Sequence, residues 1–175
     1  PGQPGDTSVV GWQVMALKSG QNAYLNVPLA TLGGANRFLD SVQIDDGAGY
    51  LYMDAHREPR ISTSAIGLLT RMYLGWSRDN VGLTEGVKRL VLAGPSATDY
   101  YYNYYATQVL YHYDGPLWQD WNAKTRDLLV SQQVRHGHAA GSWYTAGGQD
   151  EHNEVGGRLY CTAMATLTLE VYYRH

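Results

Sequence analysis

The chain has 175 residues, of which 44% are hydrophobic, so it is long enough to bury the core of one domain. Its formal net charge of -3 gives no basis for binding nucleic acid or an anionic membrane, and no run of about 18 apolar residues predicts a transmembrane segment. The single Cys161 excludes an intrachain disulfide and a cysteine-cluster zinc site.

Seven helical segments follow one another along the chain. The first is capped by Asp6-Thr-Ser8 and is apolar nearly all round, which predicts a buried helix. The second begins near Val27-Pro28 and keeps one polar face, and the third is capped by Ser62-Thr-Ser64 and is again apolar all round. The predicted segments are 6–20, 27–43, 62–76, 84–92, 100–113, 116–133 and 158–173.

Buried and half-buried helices therefore alternate. The stretches around Thr7, Thr63, Asn103 and Tyr160 belong to the apolar class, and the helices between them have one wet face. A double layer of helical hairpins satisfies this pattern, with apolar helices inside and amphipathic helices outside. The sequence predicts an all-α fold, an (α/α) toroid or partial toroid, that forms a single domain over residues 1–175.

A short pattern occurs twice at the ends of amphipathic helices: a glutamine, then a glycine, then an aromatic residue. The earlier copy uses Gln43, Gly49 and Tyr50. A glutamine at a helix C-terminus can bond the free backbone groups there, the glycine allows the chain to reverse, and the aromatic ring packs on the turn. The corresponding later residues are Gln132 or Gln133, Gly141, and Trp143 or Tyr144.

These two patterns resemble the QW repeats of terpenoid cyclases and protein prenyltransferases, the prenyltransferase and squalene oxidase repeat proteins. The starts of the first and last helices, at Asp6-Thr-Ser8 and after Gly157, also resemble inner helices of that family. The resemblance implies an (α/α) toroid, of which seven helices make a part, and an isoprenoid or other apolar ligand. The family's catalytic residues are not matched: Ile44-Asp45-Asp46-Gly47 lacks the first acid of the cyclase motif, and Gly157 lies near the place of a zinc-binding histidine.

Aromatic residues are unusually frequent, with 15 Tyr and 5 Trp against one Phe. Each Tyr or Trp has a large apolar body and one polar group that needs a partner, which suits either polar-rimmed helix seams or an aromatic-lined cavity. Asn103 and Gln108 on the tyrosine-rich helix are expected to be buried hydrogen-bonding residues. The candidates for lining a cavity are Trp12, Tyr101, Tyr104, Tyr105 and Tyr160.

Ionisable residues supply weaker candidates. Asp45, Asp46 and Asp150 are acidic candidates for the chemistry of a glycan-active toroid. His136, His138 and His152 could approach a divalent metal, but all three fall in glycine-rich loops, so we expect neither a metal site nor a cofactor.

The sequence thus favours a non-catalytic binding or scaffold module over an isoprenoid-processing enzyme or lipid binder, and over a glycan-active toroid. Because an incomplete toroid leaves apolar flanks, we expect it to pair with itself or with the missing half of the toroid. The opening Pro1-Gly-Gln-Pro-Gly5 is typical of a piece of a longer protein, without a signal peptide. We expect a soluble protein, and its compartment is left open.

Overall fold

The computed structural model describes residues 5–53, 59–146 and 152–174. Within those ranges the chain is largely helical, and the predicted all-α class with seven helices is confirmed. A two-stranded antiparallel hairpin lies between the second and third helices. The elements are α1 (Thr7–Asn22), α2 (Leu29–Val42), β1 (Gln43–Ile44), β2 (Gly49–Tyr50), α3 (Ile61–Tyr73), α4 (Val81–Ala93), α5 (Tyr100–Tyr113), α6 (Pro116–Gln132) and α7 (His152–Arg174).

The chain packs as two compact units, Pro1–Leu90 and Val91–His175. The first unit contains α1, α2, the hairpin, α3 and most of α4, and the second unit contains α5, α6 and α7. The predictions of a single domain and of an (α/α) toroid stay predictions.

The first unit is built around α3, in which every residue from Thr63 to Arg71 is buried. Two glycines allow its neighbours to come close. A Cβ atom at Gly11 of α1 would overlap the side chain of Ile66, and one at Gly67 would overlap the ring of Tyr50. Backbones and rings therefore approach α3 at distances that a larger side chain would prevent.

The amphipathic helix α4 covers the hairpin of the first unit. A Cβ atom at Gly82 would overlap the carbonyl oxygen of Asp46, and one at Gly86 would lie 2.9 Å from that of Ala48. Beside these glycines, Leu83, Val87 and Leu90 are fully buried. The glycines bring the turn close to the helix, and the aliphatic side chains hold it there.

The second unit is built around α5, in which every residue from Tyr102 to Leu110 is buried. The indole Nε1 of Trp121 on α6 donates to Thr107 Oγ1 at 2.9 Å. Asn103 accepts from the Ser96 N–H at 2.8 Å and donates to the Ser96 carbonyl at 2.7 Å. The expectation that Asn103 and Gln108 are buried is confirmed, and the bonds of Asn103 tie α5 to the loop before it.

The sequence also predicts a cap at Ser96-Ala-Thr-Asp99, before the fifth helix, and two of the three predicted helix caps are confirmed. Asp6 Oδ1 accepts from the Val9 N–H at 2.9 Å, and Asp99 Oδ1 accepts from the Tyr102 N–H at 2.7 Å. The cap predicted at Ser62-Thr-Ser64 is wrong. The helix already begins at Ile61, and the hydroxyl groups of Thr63 and Ser64 bond to the backbone of β2 instead.

The terminal helices differ from the prediction that they are buried all round. In α1 the buried residues are Thr7, Gly11 and Val14, whereas Trp12 is 42% exposed. In α7 one side is buried, and Leu159 on the other side is 83% exposed. The apolar pattern is present on both faces of each helix, but the described residues of each unit pack against only one of them.

Candidate functional site

The first turn, residues 43–50, joins α2 to β2. Gln43 is the residue that follows α2, and it pairs across the hairpin with Tyr50, whose side chain is fully buried. The Tyr50 N–H donates to Ser64 Oγ at 3.1 Å, and the Tyr50 carbonyl accepts from the Thr63 hydroxyl at 2.7 Å. Two hydroxyl groups in the first turns of α3 therefore satisfy the backbone of the buried tyrosine.

A buried arginine links the same turn to α2. The Arg71 guanidinium donates to Asn36 Oδ1 at 2.9 Å and to Gln43 Oε1 at 3.0 Å, and it forms an ion pair with Asp40. Its Nε donates to the Tyr50 hydroxyl at 3.2 Å, and its Cζ lies 4.8 Å from the centre of the Trp76 ring. Sequence reasoning missed this residue, although a lone cation within an apolar helix was a usable signal.

Two opposing effects act on the pKa of Tyr50, its burial and its contact with Arg71. Burial raises the pKa of the Tyr50 phenol, and the hydrogen bond and charge of Arg71 lower that pKa in part. The phenol therefore stays neutral and accepts from the guanidinium. Arg71, with the side chains it bonds, acts as a clamp that fastens α2 and the first turn to α3.

The second turn, residues 133–143, has corresponding features in the second unit. Gln133 follows α6, and its Nε2 donates to the Gly141 carbonyl at 3.0 Å, where the backbone has φ of +85°. The side chain of Trp143 is buried, and its indole Nε1 donates to the Leu129 carbonyl at 2.7 Å. The Trp143 N–H donates to Thr162 Oγ1 at 3.1 Å, as the Tyr50 N–H donates to Ser64.

These contacts decide between the alternatives that the sequence left open. Gln133 occupies the position after the helix, whereas Gln132 is still within α6 and donates to the Ala97 carbonyl. Trp143 is the buried aromatic residue, whereas Tyr144 is 40% exposed. In both turns a glutamine follows the helix and a buried aromatic residue meets a hydroxyl group of the next helix. The predicted role of Gly49 is wrong, because the positive φ of the first turn, +89°, falls at Gly47.

The second unit also contains a tyrosine cluster, made of Tyr101, Tyr104, Tyr105, His152 and Tyr160. The Tyr101 ring meets Tyr105 edge to face at 5.0 Å between centres, and Tyr104 meets Tyr105 at 5.2 Å. The His152 imidazole stacks on Tyr101 at 5.5 Å and lies 6.1 Å from Tyr160. Tyr104 and Tyr105 are buried, whereas His152 is exposed.

Four of the five predicted aromatic candidates therefore lie together in this cluster. The fifth, Trp12, is on α1 of the first unit. The sequence did not place His152 among the aromatic residues, because it was considered only as a metal ligand. His152 precedes the predicted start of the last helix, and Tyr160 follows it by eight residues. That separation is not the three- or four-residue spacing that brings side chains together on a helix.

The acidic candidates are separate from the tyrosine cluster. Asp45 is exposed and forms an ion pair with Arg89 at 2.6 Å. Asp45 and Asp46 both have positive φ angles, of 52° and 54°, in the tight turn before Gly47. Asp150 lies outside the described residues.

His136 and His138 lie in the exposed part of the second turn, on either side of Gly137. Among residues 5–53, 59–146 and 152–174, no group of three or more His, Cys, Asp or Glu side chains is arranged to hold a metal ion. In that part of the chain, no helix has both the length and the apolar character needed to cross a bilayer.

The chain matches no family model, no curated protein and no solved structure.

Proposed function

We propose that this chain is part of a terpenoid-cyclase-like (α/α) toroid and works as a binding or scaffold module without catalysis of its own. Support comes from the first and second turns. Each places a glutamine directly after an amphipathic helix and a buried aromatic residue against a hydroxyl of the next helix. Such matched turns are what a repeated helical hairpin requires.

The exposed sides of the terminal helices support a binding role. The central helices α3 and α5 are buried along most of their length, whereas α1 and α7 leave large apolar side chains in water. Covering apolar faces of this kind with a partner removes them from water and lowers the free energy. The exposed side chains are Val9 and Trp12 on α1, and Val155, Leu159, Tyr172 and Tyr173 on α7.

We propose that the partner of α7 is a second copy of the chain. Leu159 and Tyr173 are about four turns apart and fall on one side of the helix, opposite the buried Cys161 and Met164. Two large apolar side chains exposed on one side of a helix can pair with the same residues of another copy.

Size-exclusion chromatography with light scattering tests this pairing. We expect the wild-type chain to dimerise at micromolar concentration, and the double variant Leu159→Ser, Tyr173→Ser to raise the dissociation constant at least about tenfold. Leu92→Ser is the matched control, because Leu92 is equally exposed but lies at the end of α4. A wild-type chain that is monomeric throughout contradicts the pairing.

The tyrosine cluster favours a second function, the binding of an isoprenoid or other apolar ligand. Aromatic faces bind apolar chains and stabilise cationic centres, and each of the five rings of the cluster contacts at least one other. Native mass spectrometry of the purified chain, with and without an added polyprenyl alcohol, tests it. We expect a bound species of the alcohol's mass, and an unchanged spectrum contradicts this function.

A further inference from the structure

The loop between α1 and α2 leaves three large apolar side chains in water. Tyr24 is 98% exposed, Leu25 is 66% exposed, and Leu29 at the start of α2 is 81% exposed. They fall within six residues of one another, in the loop and at the start of α2, and this segment is called the tip. Isolated exposed apolar side chains are common on proteins, but three at one tip indicate a contact surface.

The backbone of this tip forms a hydrogen-bonded helix ending. The Leu25 N–H donates to the Gly20 carbonyl and the Tyr24 N–H to the Gln21 carbonyl, each at 2.9 Å, which is the hydrogen-bond pattern of a Schellman motif. Tyr24 occupies the left-handed position of that motif with φ of +59°, where glycine is the usual residue. Because its ring contributes almost no burial to the fold, the tyrosine has a strained position without a folding benefit.

The charged residues that flank the tip along the sequence are all of one sign. Between Asp6 and Asp40 the sequence contains no acidic residue, and its charged residues are Lys18 and Arg37, so residues 7–39 carry +2 while the whole chain carries -3. The Arg37 guanidinium extends back along α2 towards Gly33 and Gly34, on the side of the tip. An apolar tip between two cations fits a surface in which an apolar layer lies beneath a layer of phosphate groups.

We infer that residues 18–37 form an interfacial anchor that inserts into the surface of a phospholipid bilayer. Leu25 and Leu29 reach the acyl boundary, Tyr24 lies at the headgroup level with its hydroxyl in water, and Lys18 and Arg37 approach lipid phosphates. A second copy of the chain fits this surface less well, because pairing of two such tips would bring their four cations together.

Vesicle flotation tests the anchor on the whole chain. We expect the wild-type chain to float with phosphatidylcholine vesicles and more strongly when phosphatidylglycerol is added. The triple variant Tyr24→Ser, Leu25→Ser, Leu29→Ser is expected to partition at least about tenfold less, because interfacial binding scales with the apolar area inserted. Val81→Ser with Leu92→Ser is the matched control, since both side chains are exposed elsewhere and their loss leaves binding unchanged.

A single substitution separates the anchor from folding. Tyr24→Gly relieves the left-handed backbone, so we expect a higher urea midpoint together with weaker vesicle binding. Lys18→Gln with Arg37→Gln is expected to remove the gain from phosphatidylglycerol and to keep part of the binding to phosphatidylcholine.

Three results would overturn the anchor. In the first, the wild-type chain floats with neither kind of vesicle. In the second, the triple variant floats as well as the wild type. In the third, the triple variant differs from the wild type mainly in its oligomeric state. The self-pairing proposed above is tested on α7, so either proposal can fail while the other holds.

Discussion

Replacing Trp143 by alanine is expected to lower the free energy of unfolding of the second unit by about 3–5 kcal/mol. The side chain is buried, and its indole Nε1 donates to the Leu129 carbonyl at 2.7 Å. The substitution therefore leaves a cavity and removes one of the two donors to the Leu129 carbonyl, which still accepts from the Gln133 N–H at 3.1 Å. Urea denaturation followed by far-ultraviolet circular dichroism measures the change.

The neighbouring residue supplies the matched control. Tyr144 is 40% exposed, and its ring lies 5.2 Å from the Arg158 guanidinium. We expect Tyr144→Ala to change the unfolding free energy by about 1 kcal/mol or less, because a partly exposed cation–π contact contributes little. Equal losses in the two variants would show that the second turn does not depend on Trp143 as its buried aromatic residue.

Replacing Arg71 by methionine is expected to destabilise the first unit by about 2–4 kcal/mol. Methionine keeps much of the volume and removes the charge, so the effect comes from lost hydrogen bonds. Asn36, Gln43 and Tyr50 each lose their donor. Asp40 is more than half exposed and is solvated after the change, which keeps the loss below that of a fully buried ion pair.

Arg89→Met is the control for charge removal on the same unit. Arg89 and Asp45 form an ion pair at 2.6 Å, but both side chains are well exposed to water. We expect a loss of about 0–1 kcal/mol, the usual value for a surface pair. Urea denaturation of both variants gives the comparison. If Arg71→Met is as mild as Arg89→Met, the clamp does not hold α2 to α3.

Several features of the fold could be predicted because they depend on residues close together in the chain. Helical periodicity identified the seven helices, and the caps at Asp6 and Asp99 act on backbone groups three residues away. The aromatic candidates on α5 were found from their density in the sequence. The stacking of His152 on Tyr101, and the contact of His152 with Tyr160, depend on α7, some fifty residues later, so the density of aromatic residues could not predict them.

The hydroxyl groups of Thr63 and Ser64 show where local reasoning stopped. Ser-Thr-Ser before an apolar run is a good helix-capping signal, yet these side chains bond to Tyr50, 13 and 14 residues earlier. A hydroxyl bonds to whichever buried backbone group is nearest, and that choice depends on packing.

The sequence alone determined the helical class, the approximate helix positions and the residue types of the two turns, because these follow from spacing and backbone preference within a few residues. Tertiary structure decided the partners of Arg71, 21 to 35 residues away along the chain, and the choice of Trp143 over Tyr144. It also decided which faces of α1 and α7 remain in water. Apolar residues are alike in sequence whether or not a partner covers them, so burial is settled only when the surrounding helices are in place.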